Sequence, residues 1–127
     1  MDYTLKNLRE TPDSAPKFGL GELGEAHFPR EALDCKSTGL AYHVLKPGKR
    51  HPFGHKHNQA EEVYVILSGG GRMRLDDEIM EVGELDAIRV APAVKRGFEA
   101  GPEGMSILVF GPHYESDGEM LQDFWTD

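Results

Sequence analysis

Glycine and proline punctuate this chain so often that no long regular helix can be drawn through it. The 127 residues contain 15 glycines and 8 prolines, spread between short apolar runs. That rhythm suits an all-β domain with many turns. Residues 39–46 read as a strand ended by the turn dipeptide Pro47-Gly48. Glu62 opens a β-branched and aromatic run through residue 67, read as a buried strand stopped by Ser68-Gly69-Gly70-Gly71. Residues 72–75 and 79–82 form a hairpin about Asp76-Asp77-Glu78, and 86–90 alternates as a further strand up to Ala91-Pro92. Residues 96–100 are a short strand, 101–104 a turn, and 105–110 a continuous apolar strand. Short strands with close turns favour a sandwich or barrel over a parallel sheet.

One domain is expected from the length, with enough chain to bury its own core. The formal charge of −8 repels phosphate backbones and anionic lipid, so neither nucleic acid nor membrane is expected as a partner. No apolar run reaches the length of a membrane span, and the single cysteine, Cys35, excludes an intrachain disulfide. The first residues carry no apolar signal core, which leads to the expectation of a cytoplasmic protein.

His55 and His57 are separated by one residue. In an extended strand they share a face, roughly 6.6 Å apart, a spacing that one metal ion can bridge. Glu62 adds a carboxylate at the start of the following strand, and its alternation turns Tyr64 and Ile66 to the same side. Two histidines and one carboxylate can hold a first-row metal with coordination positions left open. Glu61 is the alternative carboxylate. His51, in the loop before His55, is a further pocket candidate, and Tyr64 lines the same face. His43 reads as a core or interface residue, and His27 as a surface or partly packed one.

The stretch from His55 to Gly69 resembles the first motif of the cupins: glycine, five residues, H-x-H, three or four residues, glutamate, six residues, glycine. His55, His57, Glu62 and Gly69 fit it, while Gly48 precedes His55 by one residue more than the motif has. The resemblance extends over residues 38–110. It implies an antiparallel double-stranded β-helix, a jelly-roll barrel; outside it, residues 1–37 read as an N-terminal arm and turn-rich segment packing on the barrel, with the arm lying across it or across a partner subunit. Residues 30–34 form one helical turn in this reading. Residues 111–127 would be an acidic tail tied down by Phe124 and Trp125. The second cupin motif supplies a fourth ligand, a histidine, and the best register places Arg96 at that position. Leu85, Ala91, Ala93 and Ala100 stand at its other fixed positions, so only the strand and turn pattern survives.

Arg96 changes the chemistry, because a guanidinium stays protonated and cannot donate electrons to a metal. A divalent ion ~5 Å away at an effective dielectric of ~20 would be repelled by on the order of 6–7 kcal/mol. Three arrangements follow. Arg96 turns away, it faces an anionic substrate beside a metal, or it pairs with Glu62 in a metal-free pocket. The expected function is accordingly a metal-dependent enzyme acting on a small organic acid or sugar-like substrate, as an isomerase, dioxygenase or lyase. Its cofactor would be a divalent ion (Fe, Mn, Ni or Zn), with no organic cofactor. The alternative is a non-catalytic small-molecule binding or sensing module with a metal-free polar pocket. The expected partner in either case is a small molecule, with anionic ones among the candidates. A homodimer is expected as well, since open barrels leave sheet edges to cover and cupins commonly pair through such arms.

Overall fold

The computed structural model describes residues 2–127, which form a curled antiparallel sheet of eight strands. In chain order these are β1 (Gly24–His27), β2 (Thr38–Leu45), β3 (Gly54–His57), β4 (Glu62–Leu75), β5 (Glu78–Gly83), β6 (Ala87–Val90), β7 (Arg96–Pro112) and β8 (Gly118–Leu121). One path of neighbours runs β1-β2-β7-β3-β8, and β4 joins it through β7 while also pairing β5 and β6. The architecture is the expected antiparallel double-stranded β-helix. Among the described residues no helix is long and apolar enough to cross a membrane.

Two long strands differ from the expected short ones, and their glycines explain why. The glycines after Ser68 do not end β4, which continues to Leu75, and residues 101–104 do not end β7. The β4–β7 ladder runs from Val63↔Phe110 to Ile66↔Ile107, shifts register around Ser68 to Gly71, and resumes from Gly71↔Ala100 to Leu75↔Arg96. Gly69 has φ 71°, and a Cβ there would collide with the Gly104 carbonyl oxygen. Only glycine permits that backbone conformation and that close approach. The glycines thus bend two paired strands together, so that each serves both ends of the barrel.

Alternation then sorts the side chains. Tyr64, Ile66 and Met73 of β4 face Phe98, Ala100, Met105, Ile107 and Val109 of β7, with Leu45, Val82 and Val90 completing the core. Ile66, Met73 and Ile107 have no exposed surface.

The N-terminal segment lies on its own barrel. Ser14 N–H donates to the Ala26 carbonyl at 2.7 Å, and the Asp13 carboxylate accepts from the Ala15 and Ala26 amides at 3.0 and 2.9 Å. This cover buries His27 to 1% exposure, against the expectation of a surface or partly packed ring. Its Nδ1 meets Thr11, its Nε2 lies 2.9 Å from Glu25, and its ring leans on Tyr42. The turn at 29–34 is closed by Leu33 N–H donating to the Pro29 carbonyl. At the other end Phe124 is buried, and the Trp125 indole donates to the His51 carbonyl at 2.8 Å. The tail is thereby fixed to the barrel by its aromatic residues.

Replacing Ile107 by alanine, at the centre of the β4–β7 ladder, should cost about 2–5 kcal/mol in urea unfolding. Leu67→Ala, at a residue 38% exposed, should cost much less. Equal losses would mean that the inward face is misassigned.

Candidate metal-binding site

β3 is only four residues long, Gly-His-Lys-His, and its pleat sends both imidazoles into the barrel mouth. Glu62, the first residue of β4, meets them there. One ligand atom from each of His55, His57 and Glu62 falls within 4.8 Å of the others. The Glu62 Oε1 atom is the point of convergence. Tyr64 donates its hydroxyl to it at 2.8 Å, His57 Nε2 lies at 3.1 Å and His55 Nε2 at 3.6 Å. The Tyr64 hydroxyl is also 3.2 Å from His55 Nε2. Side-chain exposures of 36% for His55, 18% for His57 and 16% for Glu62 show that the cluster opens to solvent.

Arg96 points inward, directly across the ladder from His55, and is fully enclosed. Its Nη1 donates to the Pro92 carbonyl at 3.2 Å and its Nη2 to the Ala91 carbonyl at 3.3 Å. Nη2 also lies 3.9 Å from Glu62 Oε1, while Nε is buried without a partner. Of the three arrangements open to Arg96, turning away to solvent is excluded. The guanidinium stands behind Glu62 as a loose ion-pair partner.

Burial alone would push the Glu62 carboxyl up, but hydrogen bonds from His55, His57 and Tyr64 and the charge on His57 hold it well below the carboxylate range. His57 is raised above the ordinary imidazole value, chiefly by its hydrogen bond to Glu62. Burial pushes the Tyr64 phenol well up, and the neighbouring Glu62 charge adds to this, so Tyr64 stays protonated as a donor.

His51 does not join the three convergent donors. It lies against His43, ring centroids 5.4 Å apart. His43 alternates with Leu45 on β2, so it takes the inward face as expected of a core residue. Its Nδ1 is buried without a partner. Desolvation and nearby imidazoles depress His43 to about 3 and His51 to about 4.

Asp117 is the site residue that the sequence did not single out. Its Oδ2 lies 3.1 Å from His57 Nδ1 and accepts from Ala60 N–H at 3.0 Å, and its Oδ1 accepts from Gln59 N–H at 2.8 Å. In the sequence it is one acid among several in a charged tail, with no motif spacing to mark it.

The donor set suits a divalent first-row ion: two imidazole nitrogens and one carboxylate converge, and one side is open. His55, His57 and Glu62 would hold it. Metal uptake would displace the proton that His57 shares with Glu62, so binding and proton release are linked.

No family model matches the chain. An uncharacterized protein of Methanocaldococcus jannaschii is 38% identical over 71 residues, 54% of this chain and 57% of that protein. The chain thus spans little more than half the length of this curated relative. Solved structures align far more fully. A cupin protein from Bacteroides fragilis superposes with a TM-score of 0.71 and 24% identity, covering 100% of this chain and 98% of that one. The polyketide cyclase RemF from Streptomyces resistomycificus gives 0.75 and 17%, covering 98% and 87%. Oxalate decarboxylase from Bacillus subtilis gives 0.71 and 23%, covering 93% of this chain and 33% of that one.

The titration pattern sets a pH dependence. Unfolded histidines take up protons near 6.5, whereas folded His43 and His51 stay neutral down to about 3 and 4, so stability falls as pH drops below 6.5. The Glu62 contribution is present above its ordinary value of 4.5 and is lost as pH falls through its depressed folded value. The His57 contribution runs the other way: it is complete below 6.5 and lost as pH rises through its raised folded value. Urea unfolding should therefore show stability falling by about 1–3 kcal/mol per pH unit on the acid side, each histidine contributing up to about 1.4. His43→Leu should flatten that slope; an unchanged slope would show that His43 is not buried neutral.

Proposed function

Starting from the cupin fold of this chain, we propose that the protein is a metal-dependent enzyme acting on a small organic acid or sugar-like molecule in the barrel mouth. The convergence of His55, His57 and Glu62 on a solvent-open side of the barrel carries this reading. A bound divalent ion supplies a Lewis acid with coordination positions open to the ligand. Tyr64, held protonated beside His55 and Glu62, is a proton donor within the same mouth. With the ion in place, the buried Arg96 charge leaves the mouth positive in a chain whose formal charge is −8. That local field favours a small anion over a neutral molecule. Arg96 does so from behind Glu62, as part of the wall. Proteins of similar fold include enzymes named for oxalate decarboxylation and polyketide cyclisation, which supports small-molecule chemistry in such a barrel.

A second reading has its own observation. Arg96 stands 3.9 Å from Glu62, and the imidazoles and Tyr64 satisfy the same carboxylate without an ion. On this reading the mouth is a metal-free binding pocket with no turnover.

Arg96→His separates the two. In the metal-dependent enzyme it supplies a fourth nitrogen and removes a repelling charge, so affinity for Co²⁺ in calorimetry should rise by at least about tenfold. In the metal-free module it should bring no gain in affinity and should lower the melting temperature through loss of the Glu62 partner. Protein purified without added metal or affinity tag should carry a first-row ion by elemental analysis if the first reading holds.

A further inference from the structure

We propose that the C-terminal segment is a working part of the site, with Asp117 as the residue that positions His57. The inference rests on the metal-site reading above, but the geometry that suggests it is separate from the three ligands.

An imidazole that ligates through Nε2 has to be held at Nδ1, and here the holder is already in place. Asp117 Oδ2 lies 3.1 Å from His57 Nδ1, on the opposite edge of the ring from Glu62. The carboxylate is itself immobile: it is 4% exposed and takes hydrogen bonds from the Gln59 and Ala60 amides. The Asp117 carbonyl adds a bond from Asn58 N–H at 3.0 Å. One residue therefore gathers the whole segment from His57 to Ala60, the connection that sets how far His57 stands from Glu62. An ionised carboxylate only accepts, and all of its partners here are donors.

The strand pairing makes the same point at larger scale. β3 meets β7 at one register position, His55↔Arg96, but meets β8 at four, from Gly54↔Leu121 to His57↔Gly118. The strand that carries both histidines hangs mainly on the tail. Farther along, the Phe124 ring lies on Gly54 and Gly97, the neighbours of His55 and Arg96. A Cβ at Gly54 would collide with that ring, and one at Gly97 would come within 2.8 Å of it. The ring thus presses on the backbone immediately behind two residues of the site.

A carboxylate on the far nitrogen of a ligating histidine fixes its orientation and makes it a stronger donor, and its loss typically weakens metal binding by about 10- to 100-fold. Asp117→Asn is nearly isosteric, but its amide must turn an N–H₂ group toward existing donors on one side. The test is Co²⁺ binding by calorimetry on the full chain, together with ¹⁵N-detected NMR of the imidazole ring protons. In the wild type, His57 Nδ1 should carry a slowly exchanging, hydrogen-bonded proton, with or without metal. In Asp117→Asn that resonance should be lost and Co²⁺ affinity should fall by about 10- to 100-fold while the melting transition remains cooperative. A variant that binds Co²⁺ within about twofold of the wild type, or a wild-type His57 with no proton on Nδ1, overturns the proposal. If the wild type binds no Co²⁺, the metal reading fails, and loss or retention of the Nδ1 proton in the variant still decides the positioning role.

Discussion

A single carboxylate oxygen organises the mouth of this barrel. Glu62 Oε1 receives the Tyr64 hydroxyl, faces both His55 and His57, and lies within reach of the Arg96 guanidinium. An anion with so little exposure to water would be costly alone. Here every neighbour is a donor or a cation, which holds the carboxyl ionised despite its burial. The same crowding concentrates metal-ligand atoms on one open side. On the proposed metal-site reading, Arg96 adds positive charge beside the three ligand groups, so an ion would be held less tightly than by four ligands and an anionic partner beside it would be favoured.

The fold exists around that point because two long strands bend together. β4 delivers Glu62 and Tyr64 at one end and closes the hydrophobic core at the other, and β7 does the same with Arg96 and the Met105 to Val109 stretch. Their glycines permit the bend. The histidine strand is shorter and less well paired with the core, and the tail compensates through β8, Asp117 and Phe124. Chemistry and architecture are therefore joined at β3, the strand with little pairing of its own to spare.

Much of this was legible in the chain, and the boundary of what was legible is physical. The alternation of a strand places His55 with His57, and Glu62 with Tyr64, so each half of the cluster follows from local sequence; the two halves meet only through the barrel, since β3 and β4 do not pair with each other. The register of the second motif brought Arg96 to the site but left open whether it turned away or inward; its enclosure and its bonds to the Ala91 and Pro92 carbonyls answer that. The glycine-containing stretches at 69–71 and 101–104 read as stops because a glycine that ends a strand and one that bends it look alike locally. Only the pairing of β4 with β7 distinguishes them. His27 read as a surface or partly packed ring because the residues around Thr11 and Asp13 that cover it lie far from it in sequence. Asp117 reaches His57 through a contact between residues 60 positions apart, and no local pattern encodes such a contact.

An ion held by His55, His57 and Glu62 would be seen directly in a crystal. Anomalous diffraction from a crystal soaked in Co²⁺ should show a peak about 2.0–2.2 Å from His55 Nε2, His57 Nε2 and a Glu62 oxygen. Arg96 should remain inside the wall with its Nη atoms on the Ala91 and Pro92 carbonyls. A crystal with no peak in the barrel mouth, and with Glu62 still bound by Tyr64, His57 and Arg96, would contradict the metal site and leave a metal-free polar pocket in its place.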